Sequence, residues 1–141
     1  VTAAWLAGDG ITYGGWCGIP SSFSTELMGY AGFDWLCIDL QHGLVEMEHV
    51  LPMLQAASVT RTPCMVRVAA NDPAQIMKVL DTGAAGVIVP MVNSAADAAR
   101  AVSACRYPPA GIRSWGPNRA QLAVGDYTAE RANAETVCAV M

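Results

Sequence analysis

Asp39, Gln41 and His42 stand together at the end of a short apolar run, W-L-C-I-D-L-Q-H, so a carboxylate, an amide and an imidazole are delivered to one place. Imidazole near its intrinsic pKa takes up a proton at neutral pH, which gives His42 the chemistry of a general base; the competing reading is a histidine that stitches a loop by hydrogen bonding. Arg67, in M-V-R-V-A, puts a guanidinium near the carboxyl end of another apolar run. A buried guanidinium needs an anion, and two remain open: the carboxylate of a small substrate, or an internal partner such as Asp39 or Asp72. Asp81, in V-L-D-T-G, closes a helical pattern where the macrodipole disfavours negative charge. It invites a cationic or hydrogen-donating partner, unless it simply faces solvent. Trp16 either closes a pocket or fills the core. The other histidine, His49, lies among Glu46 and Glu48 and reads as a solvated helix residue.

These residues need a scaffold, and the chain repeats one unit that supplies it. Apolar runs at Gly15–Ile19, Trp35–Leu40, Cys64–Val68 and Gly86–Pro90 are short, bulky and bounded by turn residues, which makes them strands. Each is followed by a helical pattern. Pro20-Ser21-Ser22 caps Phe23–Ala31, Glu46–Ala57 carries apolar positions at helical spacing with Pro52 expected to bend it, Asn71-Asp72-Pro73 caps a helix that stops at Gly83, and Ser94 opens one that Pro108-Pro109 cannot continue. Four such units with short links specify a parallel sheet with right-handed crossovers. Tyr107–Gly125 has little periodicity and reads as a functional or interface segment; Tyr127–Ala134 is a short helix, and Val137–Met141 begins a fifth strand. His42 follows a strand and therefore belongs at the carboxyl ends, where ligand sites of α/β folds lie.

Composition narrows the function. The chain is 53% hydrophobic and 14% charged, which suits a sheet covered on both faces and subunit interfaces, while no uncharged apolar run is long enough for a membrane span. The net charge of −4 with scattered Lys and Arg offers no phosphate-backbone footprint, so nucleic acid is not an expected partner. Residues 1–10 lack the basic segment of a signal peptide, and the five single cysteines read as reduced thiols, so a cytoplasmic location is expected. No H-E-x-x-H, D-x-D-x-D-G, paired-cysteine, Walker or G-x-G-x-x-G pattern is present.

Four stretches taken together, G-F-D-W-L-C-I-D-L-Q-H-G, P-C-M-V-R-V, I-M-K-V-L-D-T-G-A-A-G-V-I-V-P-M-V and R-Y-P-P-A-G-I-R-S-W-G, resemble the HpcH/HpaI aldolase family from about Gly14 onward. The resemblance implies a (β/α)8 TIM barrel, of which residues 1–141 would be a single domain forming about the first half, strands 1 to 5, incomplete and ending within strand 5. It implies a metal-dependent class II pyruvate aldolase that cleaves 4-hydroxy-2-oxo acids to pyruvate and an aldehyde with Mg²⁺, Mn²⁺ or Co²⁺. By matching motif, His42 is similar to the family's catalytic base, Arg67 to its pyruvate-carboxylate residue, Asp81 to the acidic partner of the histidine and Trp16 to a tryptophan lining the aldehyde pocket, with Asp39 and Gln41 behind them. Gln41 stands where the family often has glutamate. The direct metal ligands implied by the resemblance fall after Met141, so the isolated chain is expected to be inactive. A cytoplasmic homo-oligomer, a hexamer built as a trimer of dimers, is also implied.

Barrel geometry adds one expectation. His42 follows a strand and sits at the top, whereas Asp81 ends a helix that runs back and sits at the bottom, roughly 15 Å away, the rise of about ten helical residues. A His42–Asp81 pair therefore requires Asp81 from a neighbouring subunit. Two alternatives stay open: an acyl-CoA lyase of the citramalyl or malyl type, which would want a basic groove for nucleotide phosphates, and an inactive fragment acting as a binding or assembly module.

Overall fold

In the computed structural model, which describes residues 10–141, the apolar runs become one five-stranded sheet, all parallel, in the order β1-β2-β3-β4-β5. The elements are β1 (Gly14–Cys17), α1 (Ser22–Tyr30), β2 (Trp35–Asp39), α2 (Met47–Val59), β3 (Cys64–Arg67), α3 (Pro73–Asp81), β4 (Gly86–Val89), α4 (Ala95–Cys105), α5 (Ala120–Ala123), α6 (Ala129–Glu135) and β5 (Val137–Val140). Strands laid down strictly in sequence order are those of a barrel being wound; a doubly wound open sheet reverses at a switch point. The stretch read for a signal peptide, residues 1–9, lies outside the described residues.

Local chemistry sets the helix boundaries. Ser21 accepts from the Ser24 amide at 3.2 Å, Asp72 from Ala74 at 3.0 Å with Pro73 in the first turn, and Ser94 from Asp97 at 3.1 Å, each satisfying an amide that the helix itself leaves without a partner. Gly83 ends α3 at φ +89, a conformation that L side chains rarely adopt. α2 runs through Pro52; the carbonyl that loses its donor there belongs to Glu48, on the exposed side where water can serve it. His49 is not simply solvated: its Nδ1 accepts from the Glu46 amide at 3.0 Å while the Glu46 side chain accepts from the His49 amide, a reciprocal cap at the start of α2.

The two faces of the sheet differ. Leu36, Ile38, Val66, Val87 and Val89 pack against Val50, Met53 and Leu54 of α2, Ile76, Val79 and Leu80 of α3 and Ala101 and Ala104 of α4. Each fully buried aliphatic side chain contributes about 1.5–3 kcal/mol of apolar burial. The opposite face holds Cys37, Met65 and Ile88 with Trp35, Val137 and Ala139. Because side chains alternate, the face that carries Cys37 and Met65 also carries Asp39 and Arg67 two residues later. The segment between α4 and β5 is pinned rather than loose. Asn133 exchanges hydrogen bonds with the Tyr107 backbone at 2.7 and 3.1 Å, and Trp115 packs between the rings of Tyr107 and Tyr127.

Candidate active site

The registers bring the polar residues to one end of the sheet. β2 pairs with β3 so that Asp39 lies beside Arg67, and β1 pairs with β2 so that Trp16 lies beside Cys37, one pleat below. All belong to the last residues of their strands, the end at which α/β barrels do chemistry.

Asp39 is the hub. It is 3% exposed, and its carboxylate accepts from Arg67 Nε at 2.8 Å and Nη2 at 2.6 Å, from Trp16 Nε1 at 3.1 Å, and from the amides of Gln41 at 3.0 Å and His42 at 3.2 Å. Burial works against the charge, but the donors from Arg67, Trp16, His42 and Gln41 outweigh it and hold the carboxyl well below the usual carboxylate range. The same bond pushes the Arg67 pKa upward. Of the two anions open to Arg67, the chain itself supplies Asp39. The grip takes the Nε edge of the guanidinium and leaves Nη1, whose only partner among the described residues is the soft Met141 Sδ at 3.8 Å, together with the second Nη2 proton. One face of the guanidinium lies 5.0 Å from the centre of the Trp16 ring. Trp16 itself is 43% exposed, so it borders open space and does not fill the core.

His42 follows in the turn after β2. Its amide is tied to Asp39, its side chain is exposed, and among the described residues the ring has no hydrogen bond. The turn is held by Leu44, which donates to Gly18 O at 2.9 Å, and by Gly43, where a Cβ would strike the Asp39 carbonyl. Only glycine lets the backbone fold back that closely. An imidazole open to solvent and anchored only through its backbone is free to meet a ligand proton. Cys37, below Asp39 on the same face, is no competing nucleophile, because burial pushes its thiol up to about 12.

Asp81 lies elsewhere. It accepts from Arg113 Nη2 at 2.9 Å, and no hydrogen bond or ion pair joins it to His42 within the chain. The Arg113 side chain is 1% exposed and its guanidinium lies 4.5 Å from the Tyr107 ring centre. Asp81 thus has the cationic partner its helix-end position called for. Arg113 itself was missed, since nothing in the aperiodic segment marks which of its arginines turns inward.

Parallel strands in sequential order, joined by helical crossovers, place the chain among (β/α) barrel-type folds, with a guanidinium held by a carboxylate and an open imidazole at the carboxyl ends of the strands. Residues 14–141 match the family model for HpcH/HpaI aldolase/citrate lyase, and the chain belongs to that family. It is 48% identical over 101 residues to a 4-hydroxy-2-oxo-heptane-1,7-dioate aldolase of Salmonella paratyphi B, an alignment covering 72% of this chain and 38% of that protein. Among solved structures it is similar to an HpcH/HpaI aldolase/citrate lyase family protein from Burkholderia cenocepacia J2315, with a TM-score of 0.88, 29% identity, and coverage of 99% of this chain and 59% of that one. It is also similar to the citrate synthase SbnG, with a TM-score of 0.85, 30% identity, and coverage of 99% and 54%. The chain therefore spans well under two thirds of the length of these relatives.

The family resemblance implies a divalent cation, which needs a cluster of His, Cys, Asp or Glu donors. Among the described residues no group of three His, Cys, Asp or Glu could hold a metal ion, and the one buried carboxylate at the site, Asp39, is fully committed to Arg67, Trp16 and two amides. The described residues of this stretch do not fit a metal cage. Among the described residues, too, no helix is long and apolar enough to cross a membrane.

Proposed function

We propose that this chain supplies the base and the carboxylate-holding group for aldol cleavage of a 4-hydroxy-2-oxo acid to pyruvate and an aldehyde. The observation that carries the reading is the Asp39 grip, which fixes Arg67 at the strand ends with its Nη1 side uncommitted, beside the turn that presents His42. Arg67 holds the substrate carboxylate through that remaining edge. His42 takes the C4 hydroxyl proton; the C3–C4 bond breaks, the C4 oxygen becomes the aldehyde carbonyl, and the bonding pair passes to C3 as the enolate of pyruvate. Protonation at C3 completes pyruvate, and Arg67 counters the negative charge that develops on the oxo-acid half. Trp16, open on one side and stacked on Arg67, forms a wall of the aldehyde pocket.

The proposed activity is that of a class II aldolase, in a cytoplasmic homo-oligomer, with Mg²⁺, Mn²⁺ or Co²⁺ as cofactor. In that oligomer Asp81 is a partner for His42 of a neighbouring subunit. The Asp81 side chain is 20% exposed even with Arg113 in place. The test is pyruvate release from 4-hydroxy-2-oxo-heptane-1,7-dioate by the full-length enzyme, with and without chelator, and by a mixture of His42→Ala and Asp81→Ala subunits. Partial recovery in the mixture supports a shared site; equal inactivity of the mixture and its components contradicts it.

Similarity to the citrate synthase SbnG favours a second reading, carbon–carbon bond chemistry on a larger carboxylated or acyl-CoA substrate of the citramalyl or malyl type. Turnover of a citramalyl thioester exceeding that of the hydroxy-oxo acid would select it.

A further inference from the structure

A cleft of about 540 Å³ opens at the opposite end of β3 from Arg67, between the end of α2, the start of β3 and the α5 turn. That volume is within the range of small-molecule pockets. Both charged residues that line it, Arg61 and Arg119, are cationic, in a chain whose net charge is −4. Arg119 donates from Nη1 to the Thr82 carbonyl at 3.0 Å and reaches Ser58 Oγ from Nη2 at 3.5 Å, yet it forms no ion pair among the described residues. Asp81, whose backbone carbonyl accepts from the Arg119 amide, has its carboxylate engaged by Arg113. Burial pushes the Arg119 pKa down, with no neighbouring carboxylate to offset the lost hydration. Arg61 stands just past the end of α2 at φ 58, where glycine is the usual occupant, and its side chain makes no hydrogen bond or ion pair among the described residues. Closing the ends of α2 and α3 therefore uses few of the ten N–H donors that two guanidiniums carry. The rest of the wall mixes the polar Gln55, Ser58 and Thr62 with an apolar part that includes Leu54, Leu122 and Ala123.

We propose that this cleft is a binding site for a small oxyanion, a carboxylate or a phosphate monoester, whose charged head is held by Arg119 and Arg61 and whose short apolar body rests on Leu54 and Ala123. The site lies at the amino-terminal end of the strands and is independent of the aldol reading. Its chemistry calls for a forked donor pair, which lysine at either position would not reproduce.

Calorimetric titration of the full-length protein with n-butyrate and with inorganic phosphate, at matched ionic strength, tests it. Saturable binding is expected that is weakened about tenfold or more by Arg61→Gln and by Arg119→Gln and that persists in Arg67→Gln, which removes the other guanidinium that could hold a carboxylate. Arg119 also closes a helix end, so Leu122→Glu provides a variant that leaves the fold alone: Leu122 is 82% exposed, and a carboxylate there would compete for the arginines. Butyrate binding alone would assign a carboxylate with an apolar body, and phosphate binding alone a phosphate. No saturable binding of either, wild-type affinity in both Arg61→Gln and Leu122→Glu, or binding lost only in Arg67→Gln would overturn the proposal.

Discussion

Asp39 and Arg67 occupy paired positions on neighbouring parallel strands, and the carboxylate of one closes on two nitrogens of the other at 2.8 and 2.6 Å. The pair is nearly buried, with side chains 5% and 12% exposed. Removing one partner of such a pair leaves an uncompensated charge and costs about 3–5 kcal/mol. Its geometric effect is positional: Asp39 fixes the Nε edge of the guanidinium and leaves Nη1 with only the Met141 sulfur as a partner among the described residues.

Stability should follow the Asp39 carboxyl as pH falls. Its folded pKa lies below the ordinary unfolded value of about 4, so its contribution is complete above that value and is lost as pH drops through and beneath the usual carboxylate range. Urea denaturation between about pH 5 and pH 2 should show wild-type stability falling more steeply than that of Asp39→Asn, which has no proton to gain there. Parallel slopes would mean that the carboxylate is not held as the geometry requires.

Arg67→Lys keeps the charge and loses the fork. Lysine can meet Asp39 or a substrate carboxylate, but it cannot grip both edge to edge. Pyruvate release should drop roughly a hundredfold while the protein stays folded by circular dichroism.

His42→Gln should separate fold from chemistry. The ring is exposed and makes no hydrogen bond among the described residues, so the urea midpoint should move by no more than about 0.5 kcal/mol equivalent. The steady-state rate should fall by about two to four orders of magnitude if the imidazole is the base.

Arg113→Met tests the other buried pair. It empties the space over Tyr107 and leaves Asp81 without its cation, at a cost of about 3 kcal/mol by denaturant titration. A loss under about 1 kcal/mol would show that water replaces the guanidinium.

Much of this was readable in the residues, for identifiable reasons. Trp35–Asp39 and Cys64–Arg67 announce themselves as strands because both faces are covered, so apolar runs end sharply where the polar residues begin. Ser21, Asp72-Pro73 and Ser94 mark helix starts because capping is local chemistry. Pairings across the fold were not readable. Asp39 and Asp72 are equal candidates for Arg67 in the sequence; the register that places Asp39 beside it joins residues 28 positions apart across a helical crossover and is not set by neighbours in sequence. Arg113 was hidden for the same reason: its partner Asp81 is 32 positions away, at the end of a different element. His49 looks solvated in the sequence because its reciprocal cap with Glu46 uses an imidazole where Glu or Gln is usual.

The most direct measurement is a pyruvate titration of the full-length enzyme, with Mn²⁺ present, followed by tryptophan fluorescence. Trp16 lies over Arg67, so a carboxylate arriving at the free edge of the guanidinium changes the surroundings of that indole. Saturable quenching in the wild type that is lost in Arg67→Gln, and lost as a signal in Trp16→Phe while binding persists by calorimetry, is the predicted result. Pyruvate affinity unchanged by Arg67→Gln would contradict the account at its centre.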